Sequence, residues 1–241
     1  MRSTLVLAWK EMRQIFLSPI AYAFLVVFVF FVNFMFFKDF FRANQASMSN
    51  FFGPLLAIAF AVVIPGVTMR MWAEERKQGT IEFLLTAPVH TWHIVLGKFL
   101  AGLSLVTLCL LLTLSVPYTI SRFGDLDSGP VWGGYLGSLL LGGACLAVGM
   151  FFSSFTQDQI VGFLVSCIVL FALVLVGMPY IQQEFGGATA VGGFLRHVSP
   201  TPHYESIGRG VVDLRDVVYF ASVIGFFLYL NVRVVDLRRW M

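Results

Sequence analysis

Six apolar stretches, each about as long as a transmembrane helix, constrain this chain more than any other feature of its sequence. A helix needs about 20 apolar residues to cross roughly 30 Å of hydrocarbon. Six crossings of that length occupy about half of the chain, which leaves little for a soluble domain. The predicted spans are Ile20–Phe37, Phe52–Met69, Ile94–Ile120, Val131–Phe152, Ile160–Met178 and Val217–Val232.

Composition supports this class and excludes others. Apolar residues make up 58% of the chain and charged residues 12%, whereas soluble domains have roughly 45–50% and about 25%. The net charge of +3 is too small to indicate a nucleic-acid partner, and the three cysteines all lie inside apolar runs. We therefore predict one all-α integral membrane domain over residues 1–241, with six transmembrane helices.

The N-terminal residues 1–19 are predicted to form an amphipathic interfacial helix rather than a cleavable signal. Leu5, Trp9, Met12 and Phe16 recur at helical spacing on one face, among charged residues. The loops on the same side as this helix hold ten Lys and Arg, and the opposite loops hold six. The positive-inside rule then places both termini in the cytoplasm, and we expect a multi-pass protein of the bacterial inner membrane.

Signatures of chemistry are absent from the sequence. It has no phosphate-binding P-loop and no protease or metal-site motif, so we predict no enzyme activity, cofactor or metal in this chain. Its spans also hold almost no charge, which disfavours an ion-coupled carrier or channel. Seven polar side chains in the spans are expected mainly to bond to their own helix or to join helices: Asn33, Thr68, Ser104, Thr107, Thr113, Ser138 and Ser166.

The fourth span is rich in small residues. Gly133 and Gly137, like Ser138 and Gly142, have the small-x-x-x-small spacing that permits close helix contact. Two interpretations remain open, namely tight packing inside one protomer and an interface between subunits.

The cytoplasmic loop 70–93 is the most informative segment. Gly79-Thr80 can break and restart a helix, Ile81, Leu84 and Leu85 then form one short apolar face, and Pro88 ends it. So short a helix needs a surface to pack on, and either lipid or a partner protein would serve. With a partner, Glu74, Glu75 and Glu82 are expected to face basic residues.

The outer segment 179–216 is too polar to cross a membrane but keeps apolar residues at helical spacing. Thr201-Pro202 is predicted to start a helix on which Ile207, Val211 and Val212 share a face. We expect a gate or partner-docking surface, with charged residues that can pair among themselves. Its candidate residues are Pro202, Glu205, Arg209, Asp213 and Asp216.

Residues 75–88, ERKQGTIEFLLTAP, resemble the coupling-helix segment of ABC-2 type permeases, the membrane subunits of many bacterial ABC exporters. Four further segments resemble the gliding-motility-associated branch of that family: 17–22 (LSPIAY), 69–76 (MRMWAEER), 96–99 (LGKF) and 209–220 (RGVVDLRDVVYF). The likeness covers the whole chain.

The resemblance implies a complex with two permease subunits, identical or related, and two copies of a separate ABC ATPase that holds ATP and Mg²⁺. It also implies an auxiliary subunit with an extracytoplasmic domain and a membrane-lipid environment, and no nucleic acid. The first and fifth spans would contribute to the permease interface. The implied coupling residues are Glu74, Glu75, Arg76, Gly79, Thr80, Ile81, Glu82, Leu84, Leu85 and Pro88.

Two functions fit this sequence. One is a permease subunit that couples ATP hydrolysis to substrate export. The other is a mechanotransmission subunit, which passes the ATPase movement to an extracytoplasmic partner without translocating a substrate. The sparse polar residues of the spans fit both.

Overall fold

The structure, a computed structural model, describes residues 2–43, 48, 51–80, 89–124, 126–184, 193 and 197–239. In these residues the regular structure is helical and contains no strand. The helices are α1 (Arg2–Leu17), α2 (Pro19–Ala43), α3 (Pro54–Lys77), α4 (Thr91–Leu112), α5 (Ser115–Ile120), α6 (Ser128–Ser153), α7 (Gln159–Val176), α8 (Pro179–Glu184), α9 (Pro200–Gly208) and α10 (Leu214–Arg239).

Six helical stretches are long and apolar enough to cross a membrane, which confirms the predicted number of spans. They are Pro19–Lys38, Pro54–Lys77, Thr91–Ile120, Ser128–Ser153, Gln159–Val176 and Leu214–Leu237. Each overlaps its predicted counterpart. The chain is therefore an all-helical, multi-pass membrane protein.

The spans divide into a central and a peripheral set. In α3 and α6, 61% and 72% of the most apolar window is buried within the protein, whereas the value is 17% in α2 and 22% in both α7 and α10. The peripheral helices carry exposed apolar side chains such as Phe30 and Ile168. Such outward apolar faces suit contact with lipid or with another membrane subunit.

The third span is broken near its outer end, between α4 and α5. Pro117 has no backbone N–H and cannot donate to the carbonyl of Thr113, one turn earlier. The carbonyl of Thr113 accepts instead from the N–H of Val116 at 2.9 Å. The predicted span Ile94–Ile120 is thus two helical pieces in series.

The small residues of α6 are covered by other helices of the same chain. A Cβ added at Gly134 would lie 2.3 Å from the ring of Phe52, and one added at Gly142 would lie 2.6 Å from Val106. At Gly149 it would lie 2.4 Å from the hydroxyl oxygen of Thr68. The structure therefore favours packing within the protomer over an intersubunit role for this stripe.

Most polar side chains inside the spans bond to their own helix, as predicted. Ser166 is the exception among the seven, because its buried hydroxyl has no hydrogen-bond partner in the described part of the chain. The other six donate to a carbonyl three or four residues earlier: Asn33, Thr68, Ser104, Thr107, Thr113 and Ser138.

Membrane orientation is tested by labelling single cysteines with an impermeant reagent added outside. Ser128→Cys and Gln78→Cys are suitable because both positions are exposed and lie at opposite ends of the bundle. With cytoplasmic termini, we expect Ser128→Cys to react in intact cells and Gln78→Cys only after permeabilisation. The opposite pattern would contradict the orientation inferred from the Lys and Arg distribution.

Candidate functional site

Helix α1 packs against the start of α4 at close range. Gly97 permits this, because a Cβ at that position would lie 3.1 Å from the Cβ of Leu7 and 3.3 Å from the backbone nitrogen of Ala8. Thr4 Oγ1 also lies 2.7 Å from His93 Nδ1. On the other side of α1, Leu5 and Trp9 are exposed, as expected for a face that rests on lipid.

A buried ion cluster lies where α1, α3 and α4 meet. Lys98 Nζ donates to Glu11 Oε2 at 2.9 Å and to Glu75 Oε1 at 2.8 Å. It also lies 5.1 Å from the ring centroid of Trp72, within the range of a cation–π interaction. The Lys98 side chain is only 1% exposed. Burying a charge is costly unless it is paired and hydrogen-bonded, and this cluster provides both.

The position of Lys98 corrects the prediction that the spans contain almost no buried charge. We define the Lys98 cluster as Lys98, Glu11, Glu75 and Trp72. It joins the end of α3 to the start of α4, the two helices between which the coupling loop runs, and it holds α1 against both. The end of α3, the start of α4 and α1 are therefore held together at one point.

A second set of contacts ties α3 to the turn between α1 and α2. Arg70 donates to both carboxylate oxygens of Glu74, at 2.9 Å and 3.0 Å, and its third donating nitrogen reaches Ser18 Oγ at 2.7 Å. A bidentate guanidinium–carboxylate pair fixes geometry as well as charge. This contact stabilises the angle at which α1 meets the first span.

These contacts change the interpretation of two predicted coupling residues. Glu74 and Glu75 are engaged by Arg70 and Lys98 of this chain, so the expectation that they face basic residues of a partner is not supported. Helix α3 also continues to Lys77, which makes the first part of the predicted loop 70–93 helical. Arg76 lies on the same turn, and its Nη1 is buried without a hydrogen-bond partner among the described residues.

The end of α3 agrees with the predicted helix break. Gly79 has a positive φ of 69°, a conformation that favours glycine, and its N–H donates to the carbonyl of Arg76. The Thr80 hydroxyl donates to the carbonyl of Glu75 at 3.2 Å. The remaining predicted coupling residues lie outside the described part of the chain: Ile81, Glu82, Leu84, Leu85 and Pro88.

On the opposite side of the protein, the start of α9 closes the end of α7. The hydroxyl groups of Ser199 and Thr201 donate to the carbonyls of Leu173 and Val174, at 2.8 Å and 2.9 Å. These carbonyls belong to the last turn of α7, where helical partners run out. Gly177 makes room for this contact, because a Cβ there would lie 1.9 Å from Ser199 Oγ.

Helix α9 is packed into the bundle rather than resting on it. Tyr204 and Ile207 are fully buried, and a Cβ at Gly133 would lie 2.9 Å from the Ile207 carbonyl oxygen. Tyr204 Oη lies 3.0 Å from Ser138 Oγ. Burial raises the pKa of Tyr204, so its phenol stays neutral at physiological pH.

The prediction that Val211 and Val212 continue the helix of Ile207 is wrong. Helix α9 ends at Gly208, and Gly210 turns the chain with a φ of 88°. A Cβ added at Gly210 would also lie 3.0 Å from the backbone nitrogen of Pro130. Val211 and Val212 are therefore exposed and lie outside any helix.

The charged residues of the outer segment also pair differently from the expectation. Asp216 is buried and contacts His203, with 2.7 Å between Oδ1 and Nδ1, and the His203 ring stacks on Tyr219. Asp213 accepts from the backbone N–H of Arg215, and Arg209 donates to the carbonyl of Glu205. Thus the Asp216–His203 contact joins α9 to α10. The other candidate residues Arg209, Asp213 and Pro202 are at least partly exposed.

Displacing α9 is expected to open this side of the bundle. In a Thr201→Cys background, where position 201 is only 1% exposed, Gly137→Leu would push against Ile207 and Tyr204. Each 1.4 kcal/mol by which the packed state is destabilised raises the fraction of molecules with α9 displaced by about tenfold. We therefore expect Thr201→Cys to be labelled about ten times faster when Gly137→Leu is also present. Gly225→Leu is the control, because a Cβ there meets nothing within 4 Å. Equal labelling rates in both variants would contradict the packing role of α9.

The described residues do not assemble a group of side chains suited to metal binding. No set of three His, Cys, Asp or Glu side chains there could hold a metal ion. The three cysteines are unpaired, and all belong to membrane-spanning helices.

Comparison with known families identifies the class of protein. The profile of the family described as ABC-2 family transporter protein matches residues 5–230, which is nearly the whole chain. A search of curated proteins found no match. The matched region contains the first five spans and the loop between α3 and α4, together with most of α1 and of the sixth span. The chain therefore belongs to the ABC-2 family of transporter proteins, as the membrane-embedded permease subunit of an ABC transporter.

Proposed function

We propose that this permease couples ATP hydrolysis by a separate ABC ATPase to substrate export, and that the ATPase binds at the cytoplasmic loop between α3 and α4. The observation that carries the proposal is the Lys98 cluster. It fixes both helices that flank the loop, and α1 as well, through charged contacts of 2.8–2.9 Å. An ATPase held by the loop would therefore act on a connected unit.

The proposed movement starts at residues 79–88. Gly79, with its positive φ, follows the end of α3, so a partner bound to the loop would act on the end of this helix. Displacement of the loop would be passed to Glu75 on α3 and to Lys98 on α4, and from Lys98 to Glu11 on α1. The Arg70–Glu74–Ser18 contacts would extend the effect to the start of α2.

The proposed assembly contains two permease subunits, identical or related, and two ATPase subunits. The exposed apolar faces of α2 and α7 are the candidate surfaces between the permeases, since both helices are peripheral in the single chain. On the outer side, α9 would close the pathway. An auxiliary subunit with an extracytoplasmic domain would bind near the exposed residues of the outer segment.

A second candidate function is mechanotransmission to that auxiliary subunit, without translocation. The polar side chains of the spans support it, because they are few and six of the seven donate to carbonyls of their own helices. Assignment to the gliding-motility-associated branch belongs to this alternative. ATP-dependent substrate accumulation in inverted vesicles favours export, whereas ATP-dependent movement of the partner without accumulation favours mechanotransmission.

Co-purification from native membranes tests the proposed complex. We expect the tagged permease to retain an ABC ATPase, with two permease chains and two ATPase chains per particle in light scattering. The inner-membrane location and the cytoplasmic position of the loop are part of the same proposal. A particle that transports in vesicles but holds no ATPase would contradict it.

A further inference from the structure

A cavity of about 770 Å³ lies between α1, α2 and α3, next to the Lys98 cluster. Its size is within the range of roughly 300–1,000 Å³ that is usual for ligand sites. Neither the coupling loop nor the packing of the spans requires an opening of this size. The cavity therefore needs its own explanation.

The cavity wall changes from apolar to charged along α3. Gly66 and Val67 line it at one end, and Arg70, Glu74 and Gln78 line it toward the cytoplasmic end. With a rise of 1.5 Å per residue, the distance from position 66 to position 78 is about 18 Å. One helix thus presents a short apolar surface at positions 66 and 67, about one turn before Arg70, followed by a polar surface about two turns long from position 70 to position 78.

The apolar part is formed at the beginning of the first span. Ile20, Ala21 and Phe24 of α2 line it, and the Phe24 ring covers Gly66, where an added Cβ would lie 2.2 Å from the ring. Because α2 begins at Pro19, this part lies at the level where the bilayer interior starts. An occupant must be apolar here and polar only at its other end.

The charged part is neutral as a whole. It contains the cations Lys10, Arg70 and Lys98 and the anions Glu11, Glu74 and Glu75. Arg70 pairs with Glu74, and Lys98 pairs with both Glu11 and Glu75. A headgroup with a net charge would find no free counter-charge, whereas a headgroup with one positive and one negative group could contact both kinds of side chain.

We propose that this cavity binds a phospholipid with a zwitterionic headgroup, such as phosphatidylethanolamine, from the leaflet in contact with α1. The headgroup occupies the charged part, with its phosphate toward Lys10 and Arg70 and its ammonium toward the carboxylates. One acyl chain lies along Val67, Ile20 and Phe24. The other chain stays in the bilayer. This lipid site is independent of which substrate, if any, the transporter moves.

Lipid retention measured by native mass spectrometry tests the proposal. The permease complex is purified from nanodiscs that contain equal amounts of phosphatidylethanolamine and phosphatidylglycerol of the same chain length. We expect it to retain more phosphatidylethanolamine than phosphatidylglycerol. Val67→Trp fills the apolar part and should reduce retained phosphatidylethanolamine by about tenfold. The matched control is Val62→Trp on the same helix, which is exposed outside the cavity and should leave retention unchanged. Equal retention by the two variants would overturn the site.

The headgroup assignment has a separate test that does not require filling the cavity. Glu74→Gln removes one negative charge and leaves Arg70 without its carboxylate partner. The charged part then carries a net positive charge, so retention should shift toward phosphatidylglycerol by about tenfold relative to the wild type. An unchanged lipid ratio in this variant, or a preference of the wild type for phosphatidylglycerol, would contradict a zwitterionic headgroup.

Discussion

Replacing Lys98 with methionine is expected to destabilise the permease by about 3–5 kcal/mol, the usual cost of removing one partner of a buried ion pair. The change leaves the carboxylates of Glu11 and Glu75 buried without their shared cation. For a chain of this size, each kcal/mol corresponds to roughly 2–4 °C. We therefore expect the thermal inactivation midpoint of the purified complex to fall by about 10 °C.

The control for this prediction is Lys10→Met. Lys10 also contacts Glu11, but its side chain is half exposed and its Nζ lies 3.8 Å from the Glu11 carboxylate. Its removal should therefore cost less than about 1 kcal/mol. A midpoint that falls equally in both variants would contradict the special role of Lys98.

A triple variant separates stability from transmission. Glu11→Met and Glu75→Met, combined with Lys98→Met, remove all three charges, and replacement of a buried ion cluster by apolar side chains of similar volume often restores stability. We expect the thermal inactivation midpoint to recover most of the fall caused by Lys98→Met, while ATP hydrolysis no longer drives transport. A stable triple variant with wild-type coupling would show that the Lys98 cluster only supports the fold.

Leu84→Asp is expected to release the ATPase from an otherwise intact permease. Ile81, Leu84 and Leu85 form the apolar face of the predicted coupling helix, and burial of each contributes roughly 1.5–3 kcal/mol before association costs. Leu84→Asp removes one of these apolar side chains and places a carboxylate in an apolar groove. It should weaken binding of the ATPase by at least about 100-fold, or ~2.7 kcal/mol. The measurement is the amount of ATPase that co-purifies with the tagged permease.

Two comparisons make this result specific. Leu214→Asp introduces the same charge at an exposed position at the start of α10 and should retain the ATPase. Glu75→Arg is a poor probe of docking, because it would break the Lys98 cluster from within. If Leu84→Asp retained the ATPase as the wild type does, the loop helix would rest on lipid instead.

The number and order of the spans were predictable because each is a long apolar run that needs no other part of the chain to be recognised. Helix α1 was predictable as well, since its exposed face at Leu5 and Trp9 follows helical spacing. The polar residues of the spans behaved as expected because hydroxyl and amide groups reach carbonyls of their own helix. These are local properties, and local properties can be read from sequence.

The Lys98 cluster was missed because its members are 87 and 23 residues apart from Lys98 along the chain. Lys98 is one of the ten Lys and Arg assigned to the loops on the side of α1, although it falls within the predicted span Ile94–Ile120. A lysine inside an apolar run is costly without a buried acid nearby, and that was the signal available. Which acid it meets depends on how α1 docks, and the sequence pattern does not specify docking.

The outer segment was mispredicted for a related reason. Helical spacing connects Ile207 with Val211, but Gly210 adopts a positive φ and contacts Pro130, so the chain turns there. Likewise, Asp216 could have paired with neighbouring arginines, but the fold brings His203 beside it. In both cases a contact from a distant element decided the outcome.

Photo-crosslinking from position 84 tests the central claim most directly. A photo-reactive amino acid replaces Leu84 in the full complex in native membranes, and Leu5, which is exposed on α1, serves as the lipid-facing control. The account predicts that position 84 forms its adduct with the ABC ATPase, whereas position 5 forms adducts with lipid. Adducts of position 84 with lipid alone, in a complex that still contains the ATPase, would contradict the claim that this loop couples the ATPase to the permease.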